Sequence, residues 1–207
     1  MREKNSLKII LSAILLVAGY LLLITGPFPI RFFSLFVTGS LAFLLTFGKK
    51  GIVLLFQKPE ITIKKFAKVV MNSVVIAYFW ISIIAFLLIL IPNASFKGEN
   101  ELIFSAFFLF GIMPFAVMGE ELFTILIVRV IQLQIDQFWV ASLIASLIFG
   151  LAHFTTYYNG SIFFATLHIL FIQGGARFIF NDAYQKTGTI WGSWLTHYLF
   201  NLAVSFL

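Results

Sequence analysis

The chain has no cysteine and little charge. It therefore forms no disulfide and carries no thiol nucleophile, no cysteine-ligated metal and no lipidated cysteine. Charged residues make up 11% of its 207 residues, whereas soluble domains contain about 25%. Hydrophobic residues make up 61%, and the mean hydropathy is +1.04. This composition predicts a membrane protein.

Long uncharged runs separate the few charged residues. They cover residues 9–30, 32–48, 69–96, 102–119, 137–176 and 187–207. A bilayer core of about 30 Å takes about 20 helical residues, so most runs can cross once. Run 137–176 can cross twice, with the turn at Asn159-Gly160. Barrel strands would alternate apolar and polar residues, which these runs do not do.

We therefore predict an all-α polytopic transmembrane helical bundle with about seven spanning helices. The chain forms a single membrane-embedded domain, 1–207, and its first helix is retained, because no small-x-small cleavage site precedes Gly26. Pro114 is expected to kink the long fourth helix. The predicted helices cover about residues 8–26, 31–48, 68–92, 102–133, 138–154, 160–181 and 188–206.

The basic residues are distributed unevenly along this topology. With a cytoplasmic N-terminus, twelve fall on the inner side and two, Arg31 and Lys97, on the outer side, which follows the positive-inside rule. The inner set is Arg2, Lys4, Lys8, Lys49, Lys50, Lys58, Lys64, Lys65, Lys68, Arg129, Arg177 and Lys186. This pattern explains the net charge of +6 without nucleic acid. We expect segment 49–68 to lie along the anionic inner leaflet, with residues 51–57 as an interfacial helix.

Two adjacent carboxylates, Glu120 and Glu121, directly follow the fourth uncharged run, and residues 122–128 after them are uncharged again. A charge at the bilayer centre costs about 2.5–3.5 kcal/mol on insertion scales, so both residues must face protein or water. Adjacent helical residues differ in direction by about 100°. One carboxylate can therefore line a cavity while neighbouring side chains hold the other.

Three later polar residues reach a similar depth. His197 and Asn201 are four residues apart on one helix face, and His153 ends the fifth predicted helix. At about 1.5 Å per residue, Glu120, His153, His197 and Asn201 lie about 14–22 Å from the inner helix ends. We predict that they meet in one wet pocket.

Each of these polar residues could also have a purely structural role, and further residues of the later helices are interpreted in that way. The histidines and Asn201 could hydrogen-bond between helices, and His168 is expected to have a structural or lining role. Arg129 and Arg177 are interpreted as inner-edge residues whose side chains extend to the membrane surface. Gly174 and Gly175 are expected to permit close helix packing.

Three motifs in this order resemble one family of membrane proteins. They are EELFTI at 120–125, FGLAH at 149–153 and HYLFN at 197–201, and KTGTIWGSWLTH at 186–197 leads into the last. The pattern is similar to the CPBP or Abi family of intramembrane proteases, which includes type II CAAX prenyl endopeptidases and bacteriocin-processing or immunity proteins. The resemblance covers 102–207 as a catalytic core, and 1–95 are accessory helices.

The resemblance implies peptide hydrolysis. Glu120 activates water as general base, and His153 positions that water or passes a proton. His197 and Asn201 stabilise the oxyanion. The family pattern EExxxR has an arginine where this chain has Ile125, which leaves open how Glu121 is neutralised; a protonated Glu121 is one expectation.

Several alternatives stay open. Glu120, His153 and His197 could form a zinc site, but HExxH is absent, and we favour a metal-free mechanism with no certain cofactor. The chain could be a catalytically impaired relative that confers bacteriocin immunity or binds a peptide. A proton-coupled transporter is a third class. The expected partners are a membrane-associated peptide or protein and the lipid bilayer, with no nucleic acid, in a bacterial plasma membrane.

Overall fold

The computed structural model describes residues 2–91 and 105–205, which contain helices and no strand. The described residues also contain three irregular helical turns: a 3₁₀ turn at Ile30–Phe33 and π-helical turns at Phe108–Ile112 and His168–Gly174. The helices are α1 (Arg2–Thr25), α2 (Ser34–Leu55), α3 (Ile63–Ile89), α4 (Met113–Gln132), α5 (Phe138–Ala152), α6 (Phe154–Tyr157), α7 (Ile162–Leu167), α8 (Gly175–Thr187) and α9 (Ile190–Val204).

The predicted all-α polytopic bundle is confirmed. Five helical segments of the described chain are long and apolar enough to span a membrane: Ser6–Thr25, Ile30–Leu55, Ile63–Ile89, Phe108–Gln132 and Ile162–Thr187. Helices α5 and α9 have 15 residues each, about 22 Å, which is shorter than the bilayer core. Some predictions fall outside the described residues. They are the end of the third predicted helix at 92, the start of the fourth at 102, the end of the seventh at 206, and Lys97.

Three predicted helix boundaries differ by five residues or more, and the first is the start of α1 at Arg2, six residues before the predicted start. The third helix starts five residues earlier than predicted, because the Thr62 side chain caps it by accepting from Lys65 N at 3.4 Å. The sixth was predicted to end at 181, but α8 continues to Thr187. It stops at Gly188, whose φ of +68° favours glycine. The longer α8 changes the predicted position of Arg177 in the bundle.

Two predicted irregularities are present. The backbone leaves helical geometry at Gly48, and a helix resumes through Leu55, as expected for a separate short helix there. Pro114 lies in the first turn of α4, directly after a π-helical turn. Its missing N–H is tolerated at that position, and the π-helical turn and α4 together form one continuous helical segment, Phe108–Gln132.

Helix α4 lies at the centre of the bundle and contacts α2, α5 and α9. Its approach to α2 depends on Gly119, since an added Cβ would lie 2.6 Å from the backbone nitrogen of Phe36. The predicted close packing at Gly174 and Gly175 is also present: added Cβ atoms would lie 3.2 Å from Ser146 O and 2.1 Å from Trp80 Nε1. The Gly119 contact lies directly beside Glu120 and Glu121, so it bears on the position of both glutamates against α2.

The two ends of the bundle differ. At one end, the α2–α3 connection packs on the α8–α9 turn, with Thr189 Oγ1 donating to Gln57 O at 2.8 Å and Trp191 Nε1 donating to Phe56 O at 3.1 Å. We call this the lysine-rich end, because Lys49, Lys50, Lys58, Lys64, Lys65 and Lys186 lie in or beside these segments. At the opposite end, Tyr20 Oη donates to Ala152 O at 2.6 Å.

Candidate active site

Glu121 is fully buried, and its charge is balanced by Arg177 of α8. The guanidinium binds both carboxylate oxygens: Nη1 donates to Oε1, and Nη2 donates to Oε2 at 2.8 Å. Both side chains have 0% exposure. A two-point pair of this kind is the arrangement that best offsets the cost of burying two charges.

The interpretation of Arg177 as a residue at the membrane edge is wrong. Because α8 continues to Thr187, Arg177 lies ten residues, about 15 Å, from the helix end. Its Nε donates to Asn181 Oδ1 at 3.2 Å, and Asn181 Nδ2 donates to Ser142 Oγ at 3.0 Å. The guanidinium also lies 5.3 Å from the centre of the Phe180 ring, so its position is fixed on several sides.

This pairing also replaces the expectation of a protonated, cation-free Glu121. The family pattern would place arginine at position 125, but Ile125 is fully buried in an apolar cluster with Leu122 and Leu126. The guanidinium comes from a different helix, 56 residues further along the chain. The cation is present, but its sequence position has changed.

His197 lies between the two glutamates. Its Nδ1 is 2.9 Å from Glu121 Oε1, and its Nε2 is 3.6 Å from Glu120 Oε2. The ring stacks on Phe180 with 4.6 Å between centres. Because a carboxylate paired with arginine only accepts hydrogen bonds, Nδ1 carries the hydrogen. The Nε2 atom then faces Glu120.

Glu120 faces a cavity of about 680 Å³, and its side chain is 23% exposed. Glu120, His153, His197 and Asn201 all line this cavity, whereas Glu121 lies behind its wall. Four of the five predicted site residues therefore converge, and the adjacent carboxylates face different surroundings as their helical offset requires. The chemical roles assigned to these residues stay predictions.

His153 contributes from the end of α5. Its Nδ1 lies 2.9 Å from the carbonyl oxygen of Phe149, which can only accept, so Nδ1 carries the hydrogen and Nε2 is left as the acceptor of a neutral imidazole. Tyr157 stacks between two imidazoles, 6.4 Å from the His153 ring centre and 4.0 Å from that of His168. His168 therefore lies in the cavity wall, as a lining role requires.

Sequence reasoning missed the groups that support this site. Arg177 and Asn181 form a polar i, i+4 pair that the misplaced helix end concealed. Tyr157 and Gln173 were not singled out, although both are polar residues beside predicted pocket helices. The N-terminal helices also contribute cavity walls that carry no signature: Tyr20, Leu23, Ile24, Arg31, Phe32, Leu35 and Ile81.

The predicted zinc ligands do not form a ready metal site. Among the described residues, no group of three His, Asp or Glu side chains is arranged to hold a metal ion. His197 Nδ1 is bound to Glu121 and His153 Nδ1 to a backbone carbonyl. The second imidazole nitrogens do not complete a three-ligand set with Glu120.

The charges of the cluster balance when His197 is protonated. Two carboxylates, Glu120 and Glu121, then face two cations, Arg177 and the His197 imidazolium. Burying charges in low dielectric is tolerated when each has an opposite partner at hydrogen-bonding distance. The arrangement can hold a protonated imidazole beside a carboxylate in a cavity wall.

Fold and site together define a multi-pass membrane protein with a carboxylate–imidazole cavity inside its helical bundle. The family model described as type II CAAX prenyl endopeptidase Rce1-like matches residues 100–203, half of the chain, and the chain belongs to this family. Membership indicates a peptide hydrolase embedded in the membrane. Comparisons with curated proteins and with solved structures gave no match.

Proposed function

We propose that this protein is an intramembrane endopeptidase that hydrolyses a peptide bond of a membrane-associated protein or peptide. The observation that carries the proposal is the Glu120–His197 pair in the cavity wall, with the Glu121–Arg177 pair behind it. A general base and a hydrogen-bond donor side by side in a mostly apolar cavity are the parts that hydrolysis needs.

Glu120 is the general base in this proposal. It takes a proton from water as the oxygen attacks the peptide carbonyl carbon, and a tetrahedral oxyanion forms. The C–N bond then breaks, and the leaving amine takes the proton from Glu120. Such proton transfers contribute about 10²–10⁴-fold to rate when the base is correctly positioned.

His197 and Asn201 stabilise the oxyanion. Glu121 holds His197 through Nδ1, so the protonated ring directs its Nε2–H toward Glu120 and the cavity. Asn201 lies one helical turn further along the same wall. Each donor to an oxyanion contributes about 3–4 kcal/mol in other hydrolases.

His153 positions the attacking water. Because its Nδ1 donates to Phe149 O, Nε2 is available to accept a hydrogen bond from that water. The stack with Tyr157 restrains the ring, which favours a positioning role over free rotation.

The test is cleavage of a quenched fluorogenic peptide, selected from a library with the purified wild-type protein in detergent. We expect Glu120→Gln to lower kcat/KM by at least about 100-fold while leaving thermal stability near wild type, because Glu120 faces the cavity. Glu60→Gln is the matched control, since Glu60 is an exposed residue of the α2–α3 connection. A Glu120→Gln variant that cleaves as fast as Glu60→Gln contradicts the proposal.

The same assay addresses the other hypotheses. The absence of arginine at position 125 is the feature that favours a bacteriocin-immunity or peptide-binding role, but Arg177 supplies a guanidinium to Glu121. If wild type binds library peptides but cleaves none, the binding role is supported over hydrolysis. A chelator that abolishes wild-type cleavage would contradict the metal-free mechanism.

A further inference from the structure

The cavity occupies one half of the bundle. On α1, its lining residues are Tyr20, Leu23 and Ile24, near the helix C-terminus. On α9, they run from His197 to Val204, away from the α8–α9 turn, and Ser205 directly after the helix also lines the cavity. The lining includes Thr155, Thr156 and Tyr157 of the α5–α7 region, so the cavity extends to the end of the bundle opposite the lysine-rich end.

The charge distribution orients that end. With the buried Arg177 set aside, eleven of the other thirteen basic residues belong to the lysine-rich side in the predicted topology, and only Arg31 and Lys97 do not. Basic residues near helix ends are retained on the cytoplasmic side. The lysine-rich end therefore faces the cytoplasm.

Combining the two observations, we propose that the cavity opens on the extracytoplasmic side of the membrane. Its substrate is then a peptide segment exposed at the outer surface, such as a translocated propeptide or an outer juxtamembrane segment. A cytoplasmic protein anchored at the inner leaflet does not reach the cavity. The substrate part of this proposal depends on the proposed peptidase function, whereas the opening side does not.

The lining of the cavity indicates which side chains the bound peptide segment presents. Most lining residues are apolar, and they include Ile24, Phe32, Leu35, Ile81 and Phe108. A volume of about 680 Å³ falls within the range of about 300–1,000 Å³ typical of ligand sites. The bound segment is expected to present apolar side chains on both sides of the cleaved bond.

Single-cysteine labelling tests the opening side without any need for activity. The chain has no cysteine, so each variant carries one thiol. Thr156→Cys places it at the exposed cavity rim, and Lys58→Cys places it at an exposed position of the lysine-rich end. A sulfonated maleimide that does not cross membranes is applied to intact cells and to permeabilised cells, and a permeable maleimide measures the total reactive thiol.

We expect Thr156→Cys to react in intact cells and Lys58→Cys only after permeabilisation. The reverse pattern, or reaction of Lys58→Cys in intact cells, overturns the proposal. If the permeable reagent does not reach Thr156→Cys, Thr155→Cys replaces it, since Thr155 is also exposed and lines the cavity.

A second measurement tests the substrate side. The fluorogenic peptide chosen with detergent-solubilised protein is added to sealed right-side-out and inside-out vesicles. We expect cleavage in right-side-out vesicles and its loss in inside-out vesicles, with detergent restoring it in the latter. Cleavage only in inside-out vesicles contradicts the extracytoplasmic site, whereas absence of cleavage in detergent contradicts the peptidase function and leaves the labelling result standing.

Discussion

The N-terminal and C-terminal helices of this bundle differ in how much of their surface is buried and in the polar groups that they bury. Helices α1 and α3 each bury only 17% of their most apolar stretch inside the protein, whereas α4 buries 61%. On α1, Ser12 is a buried polar side chain, and it donates to Ala42 O at 3.0 Å. The C-terminal helices instead bury the pair formed by Glu121 and Arg177.

This difference shows where the membrane tolerates polar chemistry. An apolar helix facing lipid needs no polar partner, but a buried charge must be matched by an opposite charge and by hydrogen bonds. The C-terminal part should therefore be sensitive to the loss of a single partner. The N-terminal part, which supplies cavity walls and single hydroxyl bonds, should tolerate similar changes.

The largest expected effect comes from Arg177→Met. It leaves the Glu121 carboxylate buried without its cation, and loss of one partner of a buried pair costs about 3–5 kcal/mol. We expect a large drop in the thermal unfolding midpoint in detergent. The double variant Glu121→Gln/Arg177→Met should recover much of that loss, because no lone charge remains; equal instability of the single and double variants would show that the ion pair is not the cause.

The next effect is that of Asn181→Ala. This change removes the acceptor of Arg177 Nε and the donor to the Ser142 and Ser146 hydroxyls. Loss of a buried hydrogen bond to a charged group costs about 1.5–3 kcal/mol. Thermal unfolding measures the loss, and a midpoint equal to wild type would mean that Asn181 does not hold the guanidinium.

A pair of glycine substitutions compares backbone packing in the two regions. In Gly150→Ala the new Cβ would lie 2.3 Å from the backbone oxygen of Ile169, which cannot rotate away. In Gly19→Ala the new Cβ would lie 1.9 Å from the Thr38 hydroxyl oxygen, which can move away because it belongs to a side chain. Overpacking costs about 1–3 kcal/mol, and we expect Gly150→Ala to be the more destabilised variant; the reverse order of unfolding midpoints would break the comparison.

The smallest effect is expected for Ser12→Ala. Its hydroxyl bonds to Ala42 O and lies 2.7 Å from Thr46 Oγ1. The loss of one neutral hydrogen bond costs about 0.5–1.5 kcal/mol. If Ser12→Ala is destabilised as strongly as Arg177→Met, the contrast between the two regions is wrong.

The sequence predicted much of this architecture for a simple reason. In a membrane, uncharged runs of sufficient length must be helical, so the helices could be placed from the charges alone. Helical rise then gave the depths of Glu120, His153, His197 and Asn201, and the structure places all four on one cavity.

The parts that failed depend on tertiary contacts. The helix end at Gly188 was missed because the uncharged run ends at Ala176, whereas α8 continues to Thr187. That error placed Arg177 at the membrane edge and hid its pairing with Glu121. The cavity walls from α1 and α3 could not be predicted either, since no motif marks which side of a lipid-exposed helix packs inward.

The origin of the guanidinium on a distant helix has a consequence for biogenesis. With an arginine four residues after the glutamate, the pair would form as soon as that helix is synthesised. Here, Arg177 is 56 residues further along the chain, so Glu121 lacks its cation until α8 has been synthesised. Burial of the Glu121 carboxylate in the bundle is therefore coupled to the arrival of α8, and the order of helix synthesis becomes part of how the ion pair assembles.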